Sequence, residues 1–181
     1  RVTNFYGVTT TPLVTAGTAR GNIMTKAKVV GVLALCTVLT TALDTTAGFP
    51  AWADGRAAGI YVGVNQQRQS CGAIGEDPRL TSAAQRHADD MLRNRAFSHT
   101  GTDGSSPRAR MAQAGYGALG STGEIVYWAT GSAATAEGAL AFWMQSPGHR
   151  AIILNCGFTS GGFATAWDGH TMTAVGDFAG P

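Results

Sequence analysis

The sequence predicts an α+β domain in which helices pack on a small antiparallel sheet. The clearest helix begins at Pro78 with Asp77 as its N-cap, and its apolar residues keep a helical spacing as far as Leu92. The clearest strands flank Asp168-Gly169, because Asp-Gly between two β-prone segments is a strong hairpin signal. The helical segments come first and the strands are few, which argues against a βαβ series and favours an α+β arrangement.

The remaining elements follow from shorter signals. Apolar residues at helical spacing predict a first helix over about 56–69, with Arg68 on its polar side or flank. His87 lies on the apolar stripe of the second helix, which indicates a core histidine with one satisfied hydrogen bond. The other predicted elements are loops over 72–76 and 96–106, short helices from Pro107 to about Ala114 and from Ser146-Pro147 onward, a long helix over 133–145, and strands over 124–129, 159–167 and 170–178.

Residues 24–53 have the three-part pattern of a secretory signal peptide. A basic opening is followed by an apolar stretch over 29–43 and by the small residues of Ala51-Trp52-Ala53. We expect cleavage after Ala53, a secreted mature domain over 54–181, and an upstream extension over 1–23 with no folded role. The apolar stretch is shorter than the roughly twenty residues of a membrane span, so no stable span is expected after cleavage. An uncleaved anchor or a buried helix is the alternative.

The cysteines that remain after cleavage are Cys71 and Cys156. An even number of cysteines in an exported chain predicts a disulfide, and closing a loop of this length is worth roughly 4 kcal/mol in the chain-entropy model. Two free thiols are the alternative. The charges of the mature chain, 9 Arg against 10 Asp and Glu with no Lys, leave no basic patch. This composition excludes a typical nucleic-acid-binding protein.

His99, Glu124 and His149 are the candidate site residues. His99 lies in a glycine-rich loop, Glu124 begins a predicted strand, and His149 falls in the first turn of a helix, whose terminus favours a neutral imidazole. Two neutral histidines and a carboxylate can bind zinc and leave a fourth position for water. In that arrangement Glu124 is the candidate catalytic residue, which orients or deprotonates the water. The spacing is not a tight metal motif, so a structural polar cluster is the alternative.

An ordered set of short motifs resembles the CAP superfamily, which comprises cysteine-rich secretory proteins, antigen 5 and plant pathogenesis-related group-one proteins, and most closely its bacterial secreted, SCP-like branch. The motifs span residues 59–178 in the order of the family. They are VNQQR at 64–68, DPRLT at 77–81, ADDM at 88–91, FSH at 97–99, DGSSP at 103–107, AGY at 114–116, GE at 123–124 and WMQSPGHR at 143–150.

The resemblance implies an α-β-α sandwich and a central cleft that contains His99, His149 and Glu124. Some relatives bind a divalent metal in this cleft, and some bind sterols or other lipids in apolar grooves. Proteolytic activity has been proposed for a few. The chain departs from the family pattern at Ile125, where an asparagine is usual, and at Ser146, where animal and plant members have a second carboxylate. Ser146 is therefore a cleft residue that lacks the acid, which lowers the expected metal affinity.

Three functions are consistent with these observations. The first is a secreted, non-catalytic binding module for a lipid, sterol, cell-wall fragment or host molecule. The second is a metal-assisted hydrolase in which His99 and His149 hold zinc and Glu124 acts on water. The third is a structural or signalling domain that another protein recognises. The sequence contains neither a Gly-x-Ser-x-Gly elbow nor a Walker loop, so no motif favours a serine hydrolase or a nucleotide-binding enzyme.

Overall fold

The computed structural model describes residues 55–117 and 120–181. The predicted signal peptide, its cleavage site and the upstream extension lie outside these residues. None of the helices in the described ranges is both long enough and apolar enough to cross a bilayer. The elements are α1 (Gly55–Gln67), β1 (Gly75–Glu76), α2 (Pro78–Asn94), α3 (Pro107–Gln113), β2 (Thr122–Thr130), a 3-10 turn (Gly131–Ala133), α4 (Ala136–Gln145), α5 (Pro147–Ile153), β3 (Ser160–Trp167) and β4 (Thr171–Ala179).

The sheet has the strand order β1-β3-β4-β2. β4 lies in the centre and pairs antiparallel with both β3 and β2. β1 pairs in parallel with β3 through Gly75 and Glu76, so the sheet is mixed rather than purely antiparallel. The prediction of a loop over 72–76 was wrong for these two residues. A two-residue strand is too short to show an alternating pattern in the sequence. These two residues form a strand because they pair with the edge of β3.

The helices cover both faces of the sheet and form the α-β-α sandwich. Alternate residues of each strand face opposite layers. On one face, Ala164 and Val175 pack against Ala84, Ala88 and Met91 of α2. On the other face, α1, α4 and α5 pack on a larger cluster that includes Ile60, Ile125, Trp143, Ile153, Phe163 and Phe178.

α2 is the element that the sequence predicts best. Asp77 accepts the Arg79 backbone N–H as the N-cap, and Pro78 is the first helical residue. His87 is fully buried and its Nε2 lies 2.8 Å from the Ser98 carbonyl oxygen, which confirms the predicted core histidine. The helix lies directly on the sheet at Gly162, where a Cβ atom would come within 2.0 Å of the Thr81 backbone nitrogen.

Two links tie the end of α1 to the segment after α5, which positions the helix that contains His149. The predicted disulfide joins Cys71 and Cys156. Arg68 follows the last residue of α1 and is 1% exposed, so the prediction that it lies on the polar side or flank of a helix was wrong. Its guanidinium donates to the carbonyl oxygens of Ile153, at 2.5 Å, and Phe158, at 2.7 Å. A carbonyl at a helix C-terminus has no partner within the helix, and Arg68 supplies one.

Replacing Arg68 with Met should lower the free energy of unfolding by about 3 kcal/mol or more, because the buried carbonyl oxygens lose charged donors. Urea denaturation measures the change. Arg93→Met is the matched control, since Arg93 is exposed on α2 and its loss should change stability by less than about 0.5 kcal/mol. Similar small effects of the two substitutions would contradict the assigned role of Arg68.

Candidate functional site

The fold brings the three predicted site residues together at the β2 edge of the sheet. His99 lies in the loop between α2 and α3, Glu124 is the third residue of β2, and His149 is the third residue of α5. Nδ1 of His99 lies 2.8 Å from Oε1 of Glu124, and the rings of His99 and His149 are 6.5 Å apart between centroids. Ser146 joins α4 to α5 as their shared cap residue, and its side chain makes no capping hydrogen bond.

Glu124 points into the protein rather than into the cleft. Its side chain is 2% exposed, and both carboxylate oxygens are engaged: Oε1 accepts from His99, and Oε2 accepts from the Arg110 guanidinium at 2.5 Å. Each oxygen already accepts a hydrogen bond from inside the protein, and Glu124 does not line the cavity beside His99 and His149. The expectation that Glu124 acts on a bound water therefore does not fit this geometry. The carboxylate instead accepts a hydrogen bond from the Nδ1–H of His99 and so orients the ring. Nε2, the other ring nitrogen, takes no part in this hydrogen bond.

Arg110 is the first residue of the site that the sequence analysis missed. It is 2% exposed and donates to the His99 carbonyl oxygen at 3.0 Å and the Ser105 carbonyl oxygen at 2.8 Å, besides its ion pair with Glu124. It therefore fixes the loop that contains His99 as well as the acid. An arginine in a short helix is usually solvated. One argument could have identified it: if Glu124 is buried, its carboxylate needs a cation such as an arginine beside it.

Asp177 is the second missed residue. It lies directly opposite Glu124 on β4 and is fully buried. No described residue donates a hydrogen bond to its carboxylate oxygens. Burial, and then the negative charge of Glu124, raise the pKa of Asp177 well above its usual value, while Arg110 opposes this change. Two ionised carboxyls beside one guanidinium would leave a net buried negative charge. A protonated Asp177 removes that charge and can donate to Glu124.

The pKa values of the two cleft imidazoles are shifted in opposite directions. The hydrogen bond to Glu124 raises the pKa of His99, and partial burial opposes it. Burial lowers the pKa of His149, and the nearby charge of His99 acts in the same direction. Both effects favour the neutral imidazole that the sequence predicts, and burial is the larger of the two. Its Nδ1 is buried without a hydrogen-bond partner among the described residues.

The imidazoles open onto a cavity of about 500 Å³ with largely aromatic walls. Phe97 stacks on Trp128 with ring centroids 4.4 Å apart, and Trp128 is 52% exposed. Phe142, 49% exposed, lies against His149 at 5.7 Å between ring centroids. The cavity therefore has an apolar surface for part of a ligand and two nitrogen bases for another part. Its lining comprises Phe97, Ser98, His99, Val126, Tyr127, Trp128, Phe142 and His149.

The buried acid pair predicts a characteristic pH dependence. Folding raises the pKa of Asp177, so its contribution to stability is present below the unfolded value of about 3.9 and is lost as pH rises towards the folded pKa. Asp177→Asn removes this loss. Relative to the wild type, the variant should therefore gain stability as pH rises from 5 to 8, by up to about 1.4 kcal/mol per pH unit, as measured by urea denaturation.

Asp168→Asn is the control for this experiment. The backbone N–H of Thr171, followed by other donors, lowers the pKa of Asp168 to about 2. Its titration is complete below pH 5, so the difference from the wild type should stay constant between pH 5 and 8. Parallel stability curves for Asp177→Asn and the wild type would contradict the protonated state of Asp177.

Comparisons with known proteins agree with this architecture. The family model of the cysteine-rich secretory protein family, CAP, matches residues 55–178, which is more than half of the chain. No curated protein sequence matches the chain significantly. Several solved structures share the fold.

An outer surface protein from Borrelia burgdorferi has a TM-score of 0.58 and 22% identity, over 67% of this chain and 89% of its own. An extracellular SCP-domain protein from Bacillus anthracis str. Ames has a TM-score of 0.56 and 24% identity, over 70% and 41%. NaASP2, solved with Zn²⁺, has a TM-score of 0.51 and 14% identity, over 72% and 83%. The TM-scores show a shared fold, and the family match covers almost all of the described residues. The chain belongs to the cysteine-rich secretory protein (CAP) family.

Proposed function

We propose that this protein is a secreted binding module that holds an amphipathic ligand in its cleft without chemical turnover. The ligand classes are a lipid or sterol, a cell-wall fragment, or a host molecule. The observation that carries the proposal is the cavity of about 500 Å³, which lies within the usual range for small-molecule sites. Exposed aromatic rings supply its apolar area, and His99 and His149 supply its polar end.

The position of Glu124 supports binding rather than catalysis. A general base must reach the proton that it removes, either directly or through one water. Glu124 is buried, and its oxygens are held by Arg110 and His99. Its role is to position His99, so the acid contributes to the shape and charge of the cleft.

Secretion is part of the same proposal. The leader pattern over 24–53 supports export, and the disulfide between Cys71 and Cys156 is typical of an oxidising compartment. The similar proteins from Borrelia and Bacillus are described as an outer surface protein and an extracellular protein. These observations favour an extracellular module that meets its ligand outside the cell.

Phe142→Ser should weaken ligand binding at least fivefold, because it removes apolar area from the cavity wall. The measurement is an NMR titration with palmitate, a sterol sulfate and a soluble cell-wall glycan fragment. Val62→Ser is the matched control, since Val62 is a helical residue with 53% exposure outside the cavity. If none of these ligands shifts the resonances of the cavity residues, the lipid, sterol and glycan classes are wrong for this cavity.

A second proposal is that the cleft binds a divalent metal weakly. NaASP2, which shares the fold, was solved with Zn²⁺. Nε2 of His99 and an imidazole nitrogen of the neutral His149 would be the ligands, and Glu124 would orient His99 from behind. Two imidazoles on tetrahedral zinc have ring centroids about 5 Å apart, so the rings, at 6.5 Å, would have to approach. A bound zinc would supply Lewis acidity.

The affinity of this site should be low. The described residues contain no group of three His, Cys, Asp or Glu side chains arranged to hold a metal, and Glu124 is engaged elsewhere. Two nitrogens and water should bind zinc in the micromolar range or weaker, and calorimetry at pH 7.5 measures this. His149→Ala should abolish binding, while His170→Ala, which removes an exposed histidine beside the hairpin turn, should not. Nanomolar affinity, or binding that survives His149→Ala, would contradict the two-histidine site.

A further inference from the structure

Three consecutive residues of β2, Val126 to Trp128, line the cavity. β2 is an edge strand, and its inner neighbour is β4. Within β4, the carbonyl groups of Thr171 and Ala179 accept hydrogen bonds from the β3 side, at Asp168 and Thr159. Odd-numbered residues of β4 therefore turn their backbone groups towards β3, and even-numbered residues turn theirs towards β2.

The strand register then determines which groups of β2 face outward. Tyr127 is opposite Ala174 and is hydrogen-bonded to β4, whereas Val126 and Trp128 turn their N–H and C=O groups away from the sheet. The bond from the Trp143 indole N–H to the Val126 carbonyl oxygen, 2.9 Å long, agrees with this direction. The backbone edge at Val126 and Trp128 therefore faces away from β4 where both residues line the cavity.

Three of these backbone groups have no hydrogen-bond partner among the described residues: the N–H of Val126, and the N–H and C=O of Trp128. The Val126 carbonyl oxygen already accepts from Trp143. The Trp143 indole thus occupies one hydrogen-bonding position of the strand edge, and only a short section of the edge can pair with another chain. An open strand edge is a template for another extended chain.

We propose that the cavity binds a short, extended peptide segment with apolar side chains, which adds to the sheet at Val126–Trp128. The inference rests on the proposed binding function, because it assigns a ligand class to the same cavity. One residue of the peptide exchanges two hydrogen bonds with Trp128, and a carbonyl oxygen two residues away accepts from the Val126 N–H. Peptide side chains on either side of this backbone contact the aromatic walls.

The surroundings of the edge favour apolar side chains and a short segment. Trp128 is half exposed and stacks on Phe97, and Phe142 is also half exposed, so flanking side chains can bury aromatic surface. A cavity of about 500 Å³ holds a few residues rather than a long strand. An acyl chain or a sugar would use the same aromatic surfaces, but neither would require the backbone groups of the edge.

The test compares two probes with identical side chains. The first is an acetylated, amidated tetrapeptide of alternating alanine and valine. The second is the same peptide with alternate amide nitrogens methylated, which removes its donors along one edge. Both are titrated into the isotope-labelled protein. The first peptide should shift the amide resonances of Val126 and Trp128 most strongly, and it should bind at least tenfold more tightly than the methylated peptide.

A pair of variants tests the same contact from the protein side. Val126→Pro removes the outward N–H without removing a hydrogen bond to β4, and proline is tolerated on such edges. Val126→Ala removes side-chain contacts but keeps the N–H. We expect Val126→Ala to bind the peptide at least fivefold more tightly than Val126→Pro. Because the methylated probe tests the wild-type protein, the result does not depend on the proline variant folding.

Equal affinity for the two peptides, or shifts that avoid β2, would overturn the peptide assignment. If a lipid, sterol or glycan probe binds in the cavity and the peptide does not, the binding function stands and this inference fails. If neither the peptide nor any of those probes perturbs the cavity, the inference and the proposed function fail together.

Discussion

The buried carboxylate of Glu124 is the interaction on which the cleft depends. Moving such a charge out of water costs several kcal/mol unless it is paired and hydrogen-bonded. Arg110 and His99 provide that pairing from α3 and from the loop after α2. One charge on β2 therefore fixes three segments that are separate in sequence. The same loop also meets His87 at Ser98, so its backbone is held from α2 as well.

This arrangement makes the two cleft histidines chemically different. His99 is hydrogen-bonded through Nδ1 to Glu124, which is itself held by Arg110. The orientation of the His99 ring is therefore set from inside the protein. His149 has no such partner among the described residues, and burial keeps it neutral. A protonated His99 further disfavours the charge on His149. The cleft therefore contains one imidazole with a raised pKa and one with a lowered pKa, whereas the sequence analysis expected both to be neutral.

Local signals in the sequence predicted those parts of the fold that depend on neighbouring residues. The N-cap at Asp77 and the turn at Asp168-Gly169 place α2 and the β3–β4 hairpin correctly, and the meeting of His99, Glu124 and His149 agrees with the sequence analysis. The α-β-α sandwich was predicted from the resemblance to the CAP superfamily and not from the hydrophobic periodicity. The direction of Glu124 could not be predicted, because each strand residue can face either layer until its register with β4 is known. The burial of Arg68, Arg110 and Asp177 depends on partners far away in sequence, and β1 depends on β3.

The polar groups of the cavity wall decide more about its ligand than its aromatic area does. Aromatic surface attracts acyl chains, sugars and apolar side chains alike, so area alone discriminates little between them. The N–H and C=O of Trp128 impose a condition, because a ligand that covers them without replacing their water leaves each group unsatisfied, at about 1–3 kcal/mol. An acyl chain would leave the N–H and C=O of Trp128 without partners. A ligand with its own amide groups can form hydrogen bonds with them and so avoids the cost. The edge of β2 thus turns a nonspecific aromatic surface into a selective one, and Trp143 limits the length of chain that can use it.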